Sequence, residues 1–412
     1  MAPEQSENGP LILAYASIMT LVIDYVGLGY QVPLINMLKI PLLTTMGLLL
    51  YVLSRNSLGE LLRYMQAKIM FLLLTLTAIG IFHSLITIRT VNGFKKQLGY
   101  MLLLVTAFYV FKSKRAMLIL FRAMLVVHCY LIILNFDMLW KAVRKGSFNA
   151  GYFVSDGNDF AWSLMVFSPY ALYLAAESTK MSAKLLYLAA YSMMLYGVLG
   201  TGSRGASIAL ACALMYYLFT GKRKGLAVLV LVALGIGVLM FAPSLYLERM
   251  ASIKDYEQDS SAQQRLTAWK AAIHMAWDHP LGVGVNNFSS AYGRFYRQIY
   301  SDPYRYKGMR WTSAHSIYFM ILGEYGFLGL ALLLLLVSSM FFGSDRRRRL
   351  AAGFEGELTY DTRFFAVLNM SLIGWAMCGI FLGGVNYPHI YLLLAITLRG
   401  WAAFANDTGE SK

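Results

Sequence analysis

Charge is scarce in this chain. Only 14% of its 412 residues are Asp, Glu, Lys or Arg, where a soluble domain carries about a quarter. That excludes a water-soluble globule and a charge-rich disordered chain. Acid is scarcer than base, with 21 acidic against 36 basic residues and a net charge of +15. Cysteine is nearly absent. Cys129, Cys212 and Cys378 stand alone inside apolar stretches, which excludes a disulfide framework, offers no metal-ligand spacing and is read as packing. The opening MAPEQSENGP has no Lys or Arg, so it lacks the basic region of a cleaved signal, and the first apolar stretch is expected to be retained. No repeat of fixed period is present, which gives a solenoid or a parallel-repeat carrier no support. No DxD is present either.

What fills the chain is apolar, 58% of it. Twelve apolar segments are read, at about 11–30, 34–54, 66–86, 98–111, 115–135, 160–176, 184–200, 204–219, 225–243, 315–342, 364–383 and 386–402. At about 20 residues per crossing these make an all-α, polytopic integral membrane protein. Basic residues in short loops set orientation. With the N-terminus inside, eighteen of them fall on inner loops and seven on short outer loops. The Arg346–Arg349 run then reads as a topology anchor; nucleic-acid binding is set aside. Three parts follow: 1–243 with nine spans, a large outer loop at 244–314, and 315–412 with three spans and a short inner tail.

That loop carries nine basic and six acidic residues. A basic excess on the outer face runs against the usual bias, and an anionic ligand is the simplest reason for it. Within it, SSAQQRLTAWKAAIHMAWDHP, residues 260–280, reads as one helix. Ser261 and Gln264 form a capping box. Leu266, Trp269, Ile273 and Trp277, with Ala276, recur as one apolar stripe suited to a membrane interface, and Pro280 closes the helix. Arg265 sits in its first turns, where helix N-terminus and guanidinium both favour an anion. A solvated or headgroup contact is the competing reading.

Two more positions carry chemistry. GTGSRG, Gly200 to Gly205, spells GxGxxG, but its flanks are membrane spans instead of a βαβ unit, so a dinucleotide site is rejected. A glycine-rich turn remains, with Ser203 as helix cap and Arg204 at the start of span eight, as snorkel or anion ligand. His315 lies where the loop re-enters the membrane and can accept a proton near neutral pH, or else bond to backbone. Glu324, deeper in that span, is read as a buried partner for an Arg or a structural polar contact. Asp156 and Asp159 in DGND read as a turn, with a metal or acceptor site as the alternative. Lys39 and Arg122 are expected to snorkel or pair within spans, His83 and His128 to be satisfied packing histidines, and His274 and His279 to be structural. Asp24 could orient an arginine. Aromatics in the 286–311 stretch, Tyr292, Phe295, Tyr296, Tyr300, Tyr304, Tyr306 and Trp311, could stack on sugars.

Taken together, Arg265-x₃-Trp269, HPLGVGVNNF (His279 to Phe288) and AHSIYFMILGEYGFLGL (Ala314 to Leu330) resemble the signature region of the bacterial O-antigen ligase and polymerase superfamily. SRGA at Ser203 to Ala206 is similar to its earlier arginine motif. A twelve-span chain with a large periplasmic loop between spans nine and ten also resembles the ligase branch. The resemblance implies a multi-pass glycosyltransferase of the bacterial inner membrane, its active site facing the periplasm. Its donor would be an undecaprenyl-pyrophosphate-linked glycan and its acceptor a lipid A–core oligosaccharide, with no metal, no cofactor and inversion at the donor sugar. Arg204 and Arg265 would bind the pyrophosphate and His315 would be the catalytic base.

The chemistry fits independently. A departing pyrophosphate builds negative charge that two guanidinium groups can hold through charge-assisted hydrogen bonds. A sugar hydroxyl is a poor nucleophile and needs its proton removed. A polymerase with a growing glycan as acceptor, a protein O-oligosaccharyltransferase and a lipid-linked glycan transporter remain as alternatives.

Overall fold

The computed structural model of the protein describes residues 8–140, 150–151, 154, 156–221, 260–300, 311–383 and 387–409, with 225, 229 and 235 as isolated positions. Among the described residues every regular element is helical. In order they are α1 (Asn8–Val26), α2 (Leu28–Gln31), α3 (Pro33–Met37), α4 (Ile40–Arg55), α5 (Leu58–Leu62), α6 (Met65–His83), α7 (Thr87–Val110), α8 (Lys114–Leu134), α9 (Phe136–Trp140), α10 (Gly157–Phe167), α11 (Pro169–Glu177), α12 (Met181–Gly200) and α13 (Arg204–Thr220). They continue with α14 (Ser260–Asp278), α15 (Phe288–Ala291), a π-helical turn at Tyr292–Tyr296, α16 (Arg297–Tyr300), α17 (Ile317–Ala352), α18 (Thr362–Phe381) and α19 (His389–Thr408).

Five helices, α6, α8, α12, α17 and α18, are long and apolar enough to cross a membrane. Shorter apolar helices occupy Leu11–Val26, Ile40–Arg55 and Arg204–Thr220. The expected segment at 225–243 falls almost wholly outside the described residues. Local chemistry breaks three other expected segments. Gly27 (φ 72) separates α1 from α2, and Val32–Pro33 separates α2 from α3, since proline disfavours helix in the residue before it. Pro169 opens α11 straight after α10, dividing the segment expected at 160–176. Lys39 is not inside a helix: it is the exposed, left-handed (φ 49) residue between α3 and α4. α17 spans 36 residues but turns at the non-helical Gly326; the stretch after it, 327–352, rises about 39 Å, against a hydrocarbon core of about 30 Å. Its Arg346–Arg349 end therefore projects beyond the apolar region. There Asp345 pairs with Arg348 at 2.9 Å and Arg349 at 3.2 Å.

α18 is the central helix. It packs against α10, α11, α13, α17 and α19, and its apolar residues are buried on nearly every side, as a helix surrounded by others requires. Buried polar groups tie neighbouring helices. Thr77 of α6 donates to Gln97 of α7 at 2.6 Å, and the Tyr325 hydroxyl of α17 meets both side chains. His128 sits fully buried between the Met124 carbonyl (2.7 Å) and Ser163 (2.6 Å), a satisfied packing histidine as expected. His83 is not: it is exposed at the end of α6. Arg122 donates to Tyr187 at 3.2 Å. The cysteines are free, Cys378 buried and the others half-buried.

Candidate active site at the loop end of the bundle

The HPLGVGVNNF segment forms a compact turn wedged between α17 and the α6–α7 connection. Val283 N donates to the Gly323 carbonyl at 3.0 Å and Gly284 N to that of Glu324 at 3.2 Å. On the other side Leu85 N donates to the Val283 carbonyl at 3.1 Å. Asn287, fully buried, donates to Thr90 Oγ1 at 2.9 Å. The glycines answer to this close approach. A Cβ on Gly282 (φ 80) would lie 2.2 Å from Glu324 backbone, and one on Gly326 (φ 69) would lie 1.8 Å from the Pro280 carbonyl. Gly326 is also the non-helical residue inside α17 (ψ −167), a conformation essentially restricted to glycine. Glu324 is 5% exposed, and its Oε1 accepts from Phe288 N at 3.2 Å. Of its two expected readings the structural polar contact is the one observed.

α14 docks through its alanines. Ala268, Ala271, Ala272, Met275 and Ala276 are fully buried, whereas Leu266, Ile273 and Trp277 are 37%, 43% and 70% exposed. Leu266, Ile273 and Trp277 of the expected stripe thus face outward, as suits a membrane interface, while Trp269 borders the docked face. Small side chains let the opposite face approach α17 closely, which hydrophobicity ranking does not anticipate. Trp269, at the border, is the anchor: its indole donates to the Ala314 carbonyl at 2.8 Å and its ring stacks on Phe319 at 4.7 Å. Arg265 lies one turn earlier, three and seven residues before the docked Ala268 and Ala272, and is half-buried. The side chain of Ser261, the expected cap, lies outside those described.

Arg204 and His315 each lie beside a residue that packs at or just past the end of α18. Ser203 caps α13, accepting from Ala206 N at 3.4 Å, so Arg204 is its first helical residue. The next residue, Gly205, presses on Phe381 at the end of α18; a Cβ there would be 2.7 Å from that ring. Two residues past α18, a Cβ on Gly383 would sit 3.6 Å from the His315 Cα. His315 is exposed and left-handed (φ 46), an uncommon conformation that turns the chain into α17. Trp269 holds the residue just before it. Arg204 thus starts a helix beside the end of α18, His315 lies beside Gly383 just past it, and Arg265 lies one turn before Trp269, which bonds the residue preceding His315.

One further carboxylate belongs to this region, and sequence reasoning did not connect it. Asp159 accepts from the Tyr387 hydroxyl at 2.8 Å, four residues beyond Gly383. No local signal links residues 228 positions apart. Asp156 caps α10, accepting from Asn158 N at 2.8 Å, so DGND is a helix start. Asp24 is half-buried near the end of α1. Among the described residues no three His, Cys, Asp or Glu group as a metal site would require.

A cavity of about 470 Å³ opens at the far end of α14, lined in part by His83, Asp278, His279, Phe295 and Tyr296. Tyr296 donates to Asp278 at 2.8 Å; burial first, and then that carboxylate, push its phenol above the usual range, so it stays a donor. His274 meets Tyr300 at 3.0 Å, a structural role as expected. Phe295 and Trp311, about half exposed, are the aromatics left to face a sugar, since Tyr292 and Tyr296 are buried. Tyr304 and Tyr306 lie outside the described residues.

No curated protein matches the chain significantly. Residues 189–334 match the family described as O-antigen ligase, a stretch that holds Arg204, Arg265, His315 and the whole wedged turn. Through that region, about a third of the chain, the protein is similar to the O-antigen ligase/polymerase superfamily.

Proposed function

We propose that the protein is an O-antigen ligase: a metal-independent, inverting membrane glycosyltransferase that moves a glycan from an undecaprenyl-pyrophosphate carrier to a hydroxyl of lipid A–core. The family match supports a membrane glycosyltransferase of this type. What supports the finer reading is that Arg204 and His315 neighbour residues at and just past the end of α18, while Arg265 lies one turn before Trp269, which is bonded to the residue preceding His315. In this reading the bond between the sugar anomeric carbon and the pyrophosphate oxygen breaks, and the oxygen keeps the electron pair. Arg204 and Arg265 hold the developing charge. The acceptor oxygen bonds to that carbon from the opposite face, which inverts it, and its proton passes to the neutral imidazole of His315. We place the site on the periplasmic side of the inner membrane, in a chain of twelve spans, from the distribution of basic loops.

The test supplies purified protein in detergent with the lipid-linked glycan and lipid A–core. Conjugate should form in EDTA, and loss of transfer in EDTA would end the metal-independent scheme. His315→Ala and Arg265→Ala should lower transfer about 10²-fold or more; full activity in either would overturn the site. Extension of the donor-linked glycan without lipid A–core would identify a polymerase instead, and transfer to a protein acceptor an O-oligosaccharyltransferase. Lipid translocation without transfer would identify a transporter.

A further inference from the structure

The opposite end of the bundle holds a second basic feature, and none of the site residues reaches it. A cavity of about 500 Å³ opens among α5, the α7–α8 junction, α17 and α19, and five cationic side chains line it: Arg63, Lys112, Lys114, Arg347 and Arg399. Its acids, Glu60 and Asp407, are already engaged. Glu60 accepts from Arg399 Nη1 at 3.0 Å, and Asp407 accepts from Thr359 N at 2.7 Å and Thr359 Oγ1 at 3.2 Å. Lys114 pairs with Glu177 at 2.6 Å. Arg63 and Lys112 are exposed and make no ion pair among the described residues. The lining therefore keeps an excess of positive charge.

Arg399 gives the cavity a built side. It is 4% exposed. Its Nε donates to the Phe108 carbonyl, and its guanidinium lies 3.6 Å over the Phe108 ring. Its Nη2 is buried and has no hydrogen-bond partner among the described residues. A buried donor without a partner is unfavourable, and an anionic oxygen in the cavity would supply the missing acceptor. The location indicates the anion's source. Lys112 and Lys114 border the start of α8, and Tyr64, also in the lining, precedes α6. Both helices are long and apolar enough to cross a membrane, so the cavity lies at the depth of lipid phosphates. Leu62 and Met65, on either side of Arg63, are 36% and 46% exposed and offer acyl chains an apolar rim. Basic cavities between helices on the cytoplasmic side suit anionic headgroups.

We propose that this cavity binds the phosphodiester headgroup of an anionic membrane lipid, held by Arg399 and Arg347 within and by Arg63 and Lys112 at the rim. The proposal does not depend on the glycosyltransferase reading. The test is native mass spectrometry of the full chain in detergent, titrated with phosphatidylglycerol or phosphatidylcholine, with and without millimolar inorganic phosphate. Phosphatidylglycerol should be retained and phosphatidylcholine should not. The double variant Arg63→Gln/Lys112→Gln removes two exposed side chains and leaves Arg399 packed; it should weaken retention roughly 30-fold. Arg346→Gln/Arg349→Gln removes equal charge from the neighbouring run outside the cavity and should leave retention as in the parent. Equal retention of both lipids, equal loss in the two double variants, or unchanged retention in the rim variant would overturn the proposal. Displacement of the lipid by inorganic phosphate would also overturn it, in favour of a soluble phosphate ligand.

Discussion

Replacing Gly326 by alanine tests whether the wedge between α17 and the HPLGVGVNNF turn is what holds the loop region in place. The added Cβ would lie 1.8 Å from the Pro280 carbonyl and 3.2 Å from Gly282 N. Both are backbone atoms, so no side chain can swing aside. Two costs follow. Alanine at φ 69, ψ −167 occupies a region worth about 1–3 kcal/mol of strain. If the turn retreats, three hydrogen bonds go: Val283 to Gly323, Gly284 to Glu324, and Phe288 to the Glu324 carboxylate, at about 1 kcal/mol each. Together these amount to roughly 4–6 kcal/mol. The apparent unfolding midpoint in detergent should fall by on the order of 10 °C, and glycan transfer should fall with it, because the turn continues into the elements around His315. Gly409 provides the comparison. It has nearly the same φ, 68, but nothing lies within 4 Å of a Cβ there, so Gly409→Ala should cost only about 1 kcal/mol. If the two alanine variants unfold at the same temperature, close backbone approach is not the reason for glycine at 326, and the wedge argument fails.

Other outcomes follow from the same geometry. Glu324→Gln keeps an oxygen acceptor for Phe288 N and should stay within about 1 kcal/mol of the parent, while Glu324→Ala leaves that N–H buried and should cost about 1–3 kcal/mol; chemical denaturation would distinguish them, and equal loss would point to a role for the charge. Arg204→Lys keeps a charge at the helix N-terminus but loses the planar fork, so transfer should drop well below the parent with protein yield unchanged; full activity would remove Arg204 from pyrophosphate binding. Trp269→Phe keeps the ring against Phe319 and removes the donor to Ala314. It should lower the turnover number more than the unfolding midpoint, and the reverse order would make the bond merely structural. Tyr387→Phe frees Asp159 from its hydroxyl partner; a change in KM for the acceptor would tie this pair to the site, and unchanged kinetics would not.

The all-helical class and the arginine and histidine positions were legible because their signals are local. Apolar runs, a Ser203 cap and glycines before a helix each depend on a few neighbouring residues. The outward stripe on α14 was legible too, as suits a membrane interface, but which residues dock was not. Leu, Ile and Trp outrank Ala in hydrophobicity, yet a helix docked tightly on α17 needs small side chains at its contact face, and the bulky ones are left facing outward. Likewise no rule of spacing could say that Glu324 answers a backbone N–H and not an arginine.

By itself, then, the sequence determined what sits near what along the chain: a scarcely charged, apolar, helix-forming polymer with its chemistry collected at 200–330. Only the tertiary structure decided which ends meet. Gly205 against Phe381, Gly383 against His315, Trp269 bonded to Ala314 and Asp159 bonded to Tyr387 are contacts between segments far apart in sequence. Each is set by close packing around the buried helix α18, whose position no single segment encodes.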